Sequence, residues 1–333
     1  MCSLSTASDV LRSLHVRPLQ PPEAFPCKGF ADLCRFCGPV TMAAVETRLA
    51  LSTAHFGRPG VLTSARARQC DAELRGTFAL AADAGMSMID TSADAVETEA
   101  LVGCLAPRER PFRTIVKTAP VQGGVAAVLA QARRSLRNLG VPAAHALVVR
   151  EAEDLLGPDG EDLWRGLMDL RDAGLFEKIG VSVRSEDAPV ALARRFKPDI
   201  MQVPVSLLDQ RLVAGGEVRA LAERGVEVHL RSIFLQGLMF LPSDGLPPEL
   251  AQAGPRLSRI RRDIAEAGAD PLQAALAFAL RQSYASHVIV GVASQAELRA
   301  ILAAAAAPAP DLDWTRLALN AHEAEHVGLW AAA

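Results

Sequence analysis

Tyrosine is almost absent from this chain: its 333 residues contain one, Tyr284. Lysine is scarce too, at positions 28, 117, 178 and 197 only, so nearly all positive charge is arginine. No run of about 18 uncharged apolar residues exists, so no transmembrane helix and no membrane partner are expected. The net charge of -3 lacks the clustered basic excess that a nucleic-acid surface needs. Of the six cysteines, Cys2, Cys27, Cys34 and Cys37 crowd the start, and only Cys70 and Cys104 follow. That is no disulfide framework, and a cytoplasmic protein is expected. The opening MCSLSTASDVLRSLHVRP has neither the basic start nor the apolar core of a secretory signal. What is abundant is apolar side chain, half of all residues, enough for a large core and too much for a disordered chain.

Residues 1–41 lack sustained periodicity and read as a loose leader, with Met42 as an alternative start. Cys34 and Cys37 form a CxxC below Cys27, but His15 is a poor fourth ligand, and no metal centre is expected there. Residues 42–333 read as one domain. Short runs rich in Val and Ile alternate with stretches of helical spacing. The strand-like runs are Arg48–Ala54, Met86–Thr91, Arg113–Thr118, Ala146–Val149, Lys178–Val183, Ile200–Val205, Val226–Ser232 and His287–Gly291. Helical spacing fills Asp71–Ala84, Gly124–Leu139, Glu161–Ala173, Glu186–Arg195, Glu217–Arg224, Pro271–Gln282 and Gln295–Ala303. Eight units at about 30-residue intervals, with non-alternating strands, predict an α/β fold of the (β/α)8 barrel type. The rival is a doubly wound sheet, which often carries a glycine fingerprint after its first strand. Thr53-Ala54-His55-Phe56-Gly57 is not that fingerprint.

In such barrels chemistry sits at the C-terminal strand ends. Here those ends carry Asp90, Lys117, Arg150, Ser182, Gln202, Arg231 and Ser232. Asp90 and Lys117, on neighbouring strands, are placed to pair across the mouth. The pair reads either as a structural salt bridge or as an electrostatic lever on a nearby acid.

Six segments, in order, resemble the aldo-keto reductase family: 85–103 (GMSMIDTSADAVETEALVG), 112–120 (FRTIVKTAP), 174–183 (GLFEKIGVSV), 199–211 (DIMQVPVSLLDQR), 225–239 (GVEVHLRSIFLQGLM) and 287–302 (HVIVGVASQAELRAIL). The first strand, LALSTAHFG (49–57), is similar to a bacterial branch of that family. The resemblance implies a (β/α)8 barrel that reduces aldehydes and ketones with NADPH. It implies catalytic roles for Asp90 and Lys117, a cofactor carboxamide contact for Gln202, and a pyrophosphate loop at Ser232, Leu235 and Gly237. Thr53, Ser182, Arg231, Gly291, Ser294 and Glu297 complete the implied cofactor positions.

The departures are as specific. The family's tyrosine acid falls at Ala95 and its histidine at Arg150. Val183 replaces an asparagine, and Arg231 replaces an aromatic that stacks on nicotinamide, a role a guanidinium plane can also fill. Ser294 stands near the arginine that marks NADP preference, so either NADPH or NADH is expected.

Three functions remain open at this level. The first is an oxidoreductase with a substitute acid drawn from His55, Asp94 or His229. Arg150 would then suit an anionic sugar-derived substrate. The plainer reading of His55 is a loop-packing residue. The second is a non-catalytic barrel that binds a dinucleotide or sugar. The third is a zinc peptidase built on His322-Glu323-Ala324-Glu325-His326, which fits H-E-x-x-H but lacks a downstream ligand. Arg256, Arg259, Arg261 and Arg262 read as a solvated helix face or a phosphate clamp. Nothing suggests an obligate assembly, and a monomer or weak oligomer is expected.

Overall fold

Eight short strands, each buried on both faces, have one economical solution: a closed sheet wrapped by helices. The computed structural model describes residues 47–54, 56, 70–92, 96–109, 111–241 and 245–332. The leader, its cysteines and its boundary at residue 41 lie outside the described residues, as do His55, Asp94 and Ala95.

The strands are β1 (Leu49–Ser52), β2 (Met88–Ser92), β3 (Arg113–Lys117), β4 (Ala144–Val149), β5 (Phe176–Ser182), β6 (Ile200–Pro204), β7 (Glu227–Arg231) and β8 (His287–Gly291). All neighbours are parallel, and β1 pairs with both β2 and β8, so the barrel closes in sequence order. The predicted (β/α)8 architecture is the observed one.

The helices are α1 (Asp71–Asp83), α2 (Val96–Leu105), α3 (Val125–Leu139), α4 (Glu153–Leu156), α5 (Gly160–Asp172), α6 (Pro189–Phe196), α7 (Arg211–Ala214), α8 (Glu217–Ala222), α9 (Gly254–Glu266), α10 (Pro271–Leu280), α11 (Gln295–Ala306) and α12 (Ala321–Ala332). None of those described is long and apolar enough to cross a membrane. The sixth helix starts at Pro189, three residues later than its periodicity predicts, because Ala188 adopts a left-handed conformation and proline takes the first turn. Helix α2 follows β2, and α9 occupies the long connection after β7. Arg256 and Arg261 of α9 donate to the carbonyls of Ala318, Leu238 and Met239, so these two tie the connection to its surroundings.

The apolar core has two compartments. A large one lies between strands and helices, and a small one fills the barrel with Ala50, Met88, Ile115, Ala146, Val148, Ile200 and Ile289. Gly180 of β5 is part of that filling. A Cβ there would lie 2.7 Å from the Ile200 carbonyl oxygen and 3.1 Å from a Val148 methyl. Gly180→Ala is therefore expected to lower unfolding free energy by about 1–3 kcal/mol, measured by chemical denaturation. An unchanged midpoint would show that the barrel wall yields there.

Candidate active site

The filling ends in polar residues toward the C-terminal mouth. Asp90, the third residue of β2, is 3% exposed and Lys117, the last residue of β3, is 17% exposed. Lys117 Nζ donates to Asp90 Oδ2 at 2.7 Å. The second carboxylate oxygen is held from across the barrel, where Gln202 Nε2 on β6 donates to Asp90 Oδ1 at 2.8 Å. One carboxylate thus joins three strands, and both its oxygens accept a bond. The backbone is fixed as well: Thr53 N–H and Thr53 Oγ1 both donate to the Asp90 carbonyl, at 3.0 and 3.3 Å.

Arg150 follows β4, where its amide N–H donates to Thr118 Oγ1 at 3.2 Å. Its guanidinium is 37% exposed and lies 3.6 Å from Glu151. Arg184, after β5, pairs with Glu153 and reaches Glu151 at 4.0 Å. Arg231 ends β7 and donates to the Val183 carbonyl at 2.7 Å and to Ser232 Oγ at 3.0 Å. Burial lowers its pKa, with Glu151 and Asp90 acting in the opposite sense. The mouth therefore gathers Lys117, Arg150, Arg184 and Arg231, interleaved with Asp90, Glu151, Glu153 and Asp187.

The loop after β7 is strained. Ser232, Leu235, Gln236 and Gly237 have φ of 58°, 45°, 51° and 82°. Such a run of left-handed residues, mostly not glycine, costs energy and is typical of ligand-binding loops. Ser182 pairs with Gln202 in register, so the two residues are neighbours at the ends of β5 and β6. Gln202 Oε1 is buried without a hydrogen-bond partner among the described residues. It is an acceptor awaiting a donor such as a ligand amide.

Other sequence-derived residues have different surroundings. Gly291 ends β8, aligned with Ser52 of β1. Ser294 caps α11 by accepting from Glu297 N–H at 3.0 Å, while Glu297 Oε2 accepts from Ala293 N–H at 2.8 Å. This reciprocal capping arrangement gives both residues a structural task. His229, expected near the mouth as a substitute acid, is a correction. It is fully buried two residues below Arg231, and its ring bonds Glu227 at 2.8 Å. Burial lowers its pKa despite Glu227, so the ring is neutral and remote from solvent. Tyr284 precedes β8, at the opposite mouth, and the sequence holds no other tyrosine to serve this one.

His322 and His326 lie on α12, which packs on the 235–240 and 248–253 segments. Their ring centroids lie 4.3 Å apart at a tilt of 47°, and His326 Nδ1 approaches the His322 carbonyl at 2.9 Å. Among the described residues, no third side chain joins this pair as a metal ligand.

The Asp90–Gln202 bond escaped the sequence reading, because it crosses the barrel and leaves no local spacing. The Asp90–Lys117 pairing was visible, since adjacent parallel strands bring their ends together.

A family model described as the aldo/keto reductase family matches residues 49–319. Among solved structures, an aldo-keto reductase from Bacillus halodurans in its holo form is 18% identical, covering 84% of this chain and 90% of that one, with a TM-score of 0.62. A Pseudomonas aeruginosa structure with the aldo-keto reductase designation is 19% identical, covering 81% and 92%, with a TM-score of 0.57. No curated protein matches the sequence.

Proposed function

Because the chain belongs to the aldo/keto reductase family, we propose that it is a working NAD(P)H-dependent oxidoreductase in which lysine and arginine do the work of the missing phenol. The observation carrying this reading is Lys117, held by a doubly bonded Asp90 at the barrel mouth.

A bound nicotinamide supplies the hydride. Gln202 Oε1 and Ser182 would hold its carboxamide, Arg231 would lie against the ring, and the strained 232–237 loop would take the pyrophosphate. The buried, unpaired Gln202 Oε1 is what makes this chain fit that group. Membership of the aldo/keto reductase family supports a nicotinamide as that group.

Lys117 Nζ faces the mouth, where the negative charge of a reduced carbonyl develops. Its ammonium stabilises that charge and delivers the proton that makes the hydroxyl, regaining it from water. Asp90 keeps Nζ in place, and Gln202 keeps Asp90 in place, so little reorganisation accompanies the step. Arg150 supplies a fork for a carboxylate or phosphate, which makes an anionic sugar-derived carbonyl the favoured substrate.

Turnover of sugar acids, sugar phosphates and neutral aldehydes tests this directly. Arg150→Leu is expected to raise KM for anionic substrates by about tenfold to a hundredfold, with little effect on neutral ones. Equal effects on both would remove Arg150 from substrate recognition. A second reading, a barrel that binds dinucleotide without turnover, is favoured by one fact: the chain's only tyrosine lies at the other end. Cofactor binding with no turnover across the panel would select it.

A further inference from the structure

The opposite end of the barrel carries its own polar cluster. Glu227 and His229, two residues apart on β7, share the inward face, and His287 opens the neighbouring β8 beside His229. His229 Nε2 lies 2.8 Å from Glu227 Oε1, and His287 Nδ1 lies 3.5 Å from the same oxygen. One ligand atom from each residue falls within 4.8 Å of the others. His287 Nδ1 is buried and, among the described residues, makes no hydrogen bond of acceptable geometry, although it lies 3.5 Å from Glu227 Oε1. Neither the Lys117 site nor the cofactor reading uses these groups.

We propose that Glu227, His229 and His287 bind a divalent transition-metal ion, with zinc the best match to two imidazoles and one carboxylate. Tetrahedral bonds of about 2.1 Å place ligand atoms about 3.4 Å apart, so the two contacts to Glu227, at 2.8 and 3.5 Å, straddle the required spacing, and the histidines need only close in from within 4.8 Å. Of the three ligands, Glu227 also lines an open cleft of about 490 Å³, with Lys178, Asp199 and Ser286 among others. Water or a small anion from that cleft completes the coordination.

One side chain opposes the ion. Lys178 pairs with Glu227 through Oε2. Its ammonium must swing into the cleft when the metal binds, which its half-exposed, flexible stem permits. Lys178 therefore weakens the site, and its removal gives a signed test. The ion would also join β7 to β8 and raise thermal stability by mass action.

The test uses the full chain, freed of metal by chelator and titrated with zinc chloride, and with cobalt chloride for its visible spectrum. The expected result is one ion per chain, a cobalt spectrum of tetrahedral type and a raised melting temperature. His287→Ala, at the more exposed of the two histidines, should weaken zinc by at least about tenfold. Lys178→Met should tighten it, and His322→Ala should change nothing. No stoichiometric binding would overturn the proposal. So would zinc indifferent to His287→Ala, weakened by Lys178→Met, or lost with His322→Ala. Carbonyl turnover is not a readout here, so this result and that of the mouth chemistry stand apart.

Discussion

Lys117→Met is expected to lower kcat by about 10²–10³-fold while leaving nicotinamide affinity within a few-fold of the parent. The size follows from the loss of one preorganised donor to a developing oxyanion, which typically costs that much. The direction of the split follows from position. Nζ is at the mouth, bonded to Asp90 at 2.7 Å, whereas the groups assigned to the carboxamide and pyrophosphate lie on β5, β6 and the loop after β7. Methionine preserves the stem, so packing against the barrel wall changes little. A variant that keeps full kcat would place the proton donor elsewhere. A variant that loses cofactor binding with kcat intact would make Lys117 a cofactor ligand.

Asp90→Leu is expected to cost about 3–5 kcal/mol of stability, because it strands both partners of a buried carboxylate. Lys117 is 17% exposed and can find some water, which moves the cost toward the lower end. Gln202 is fully buried and cannot. The double variant Asp90→Leu with Lys117→Met should recover part of the loss, since replacing both charges removes the uncompensated one. Chemical denaturation of the four proteins gives the coupling directly. Additive losses would mean that the pair is only a solvated surface contact.

The fold was legible because buried parallel strands leave a signature that survives in one sequence: short apolar runs, regularly spaced, each followed by helical periodicity. His287–Gly291 was delimited to the residue, and the other strands to within two residues at either end. Asp90 and Lys117 were legible for the same reason, as strand ends on neighbouring strands. Contacts across the barrel were not. Gln202 reaches Asp90 over 112 residues of sequence, and no spacing rule links β2 to β6. The cluster of Glu227, His229 and His287 left a weaker trace. Glu-x-His at period two on a strand predicts a shared face, and β7 and β8 are neighbours in any closed barrel. Nearness to a strand end does not report depth, and His229, two residues from the end of β7, is fully buried. Ser294 and Glu297 left a clear local trace. Their S-x-x-E spacing is the signature of a helix start, and in the structure they cap α11.

The account rests on a reduced nicotinamide reaching the mouth beside Lys117. Its most direct test is titration of the purified chain with NADPH and with NADH, followed by fluorescence, then mixing of the complex with anionic sugar-derived carbonyls. Saturable binding of at least one of the two, with cofactor oxidation that depends on Lys117, is the predicted result. Absence of binding by both cofactors would contradict it.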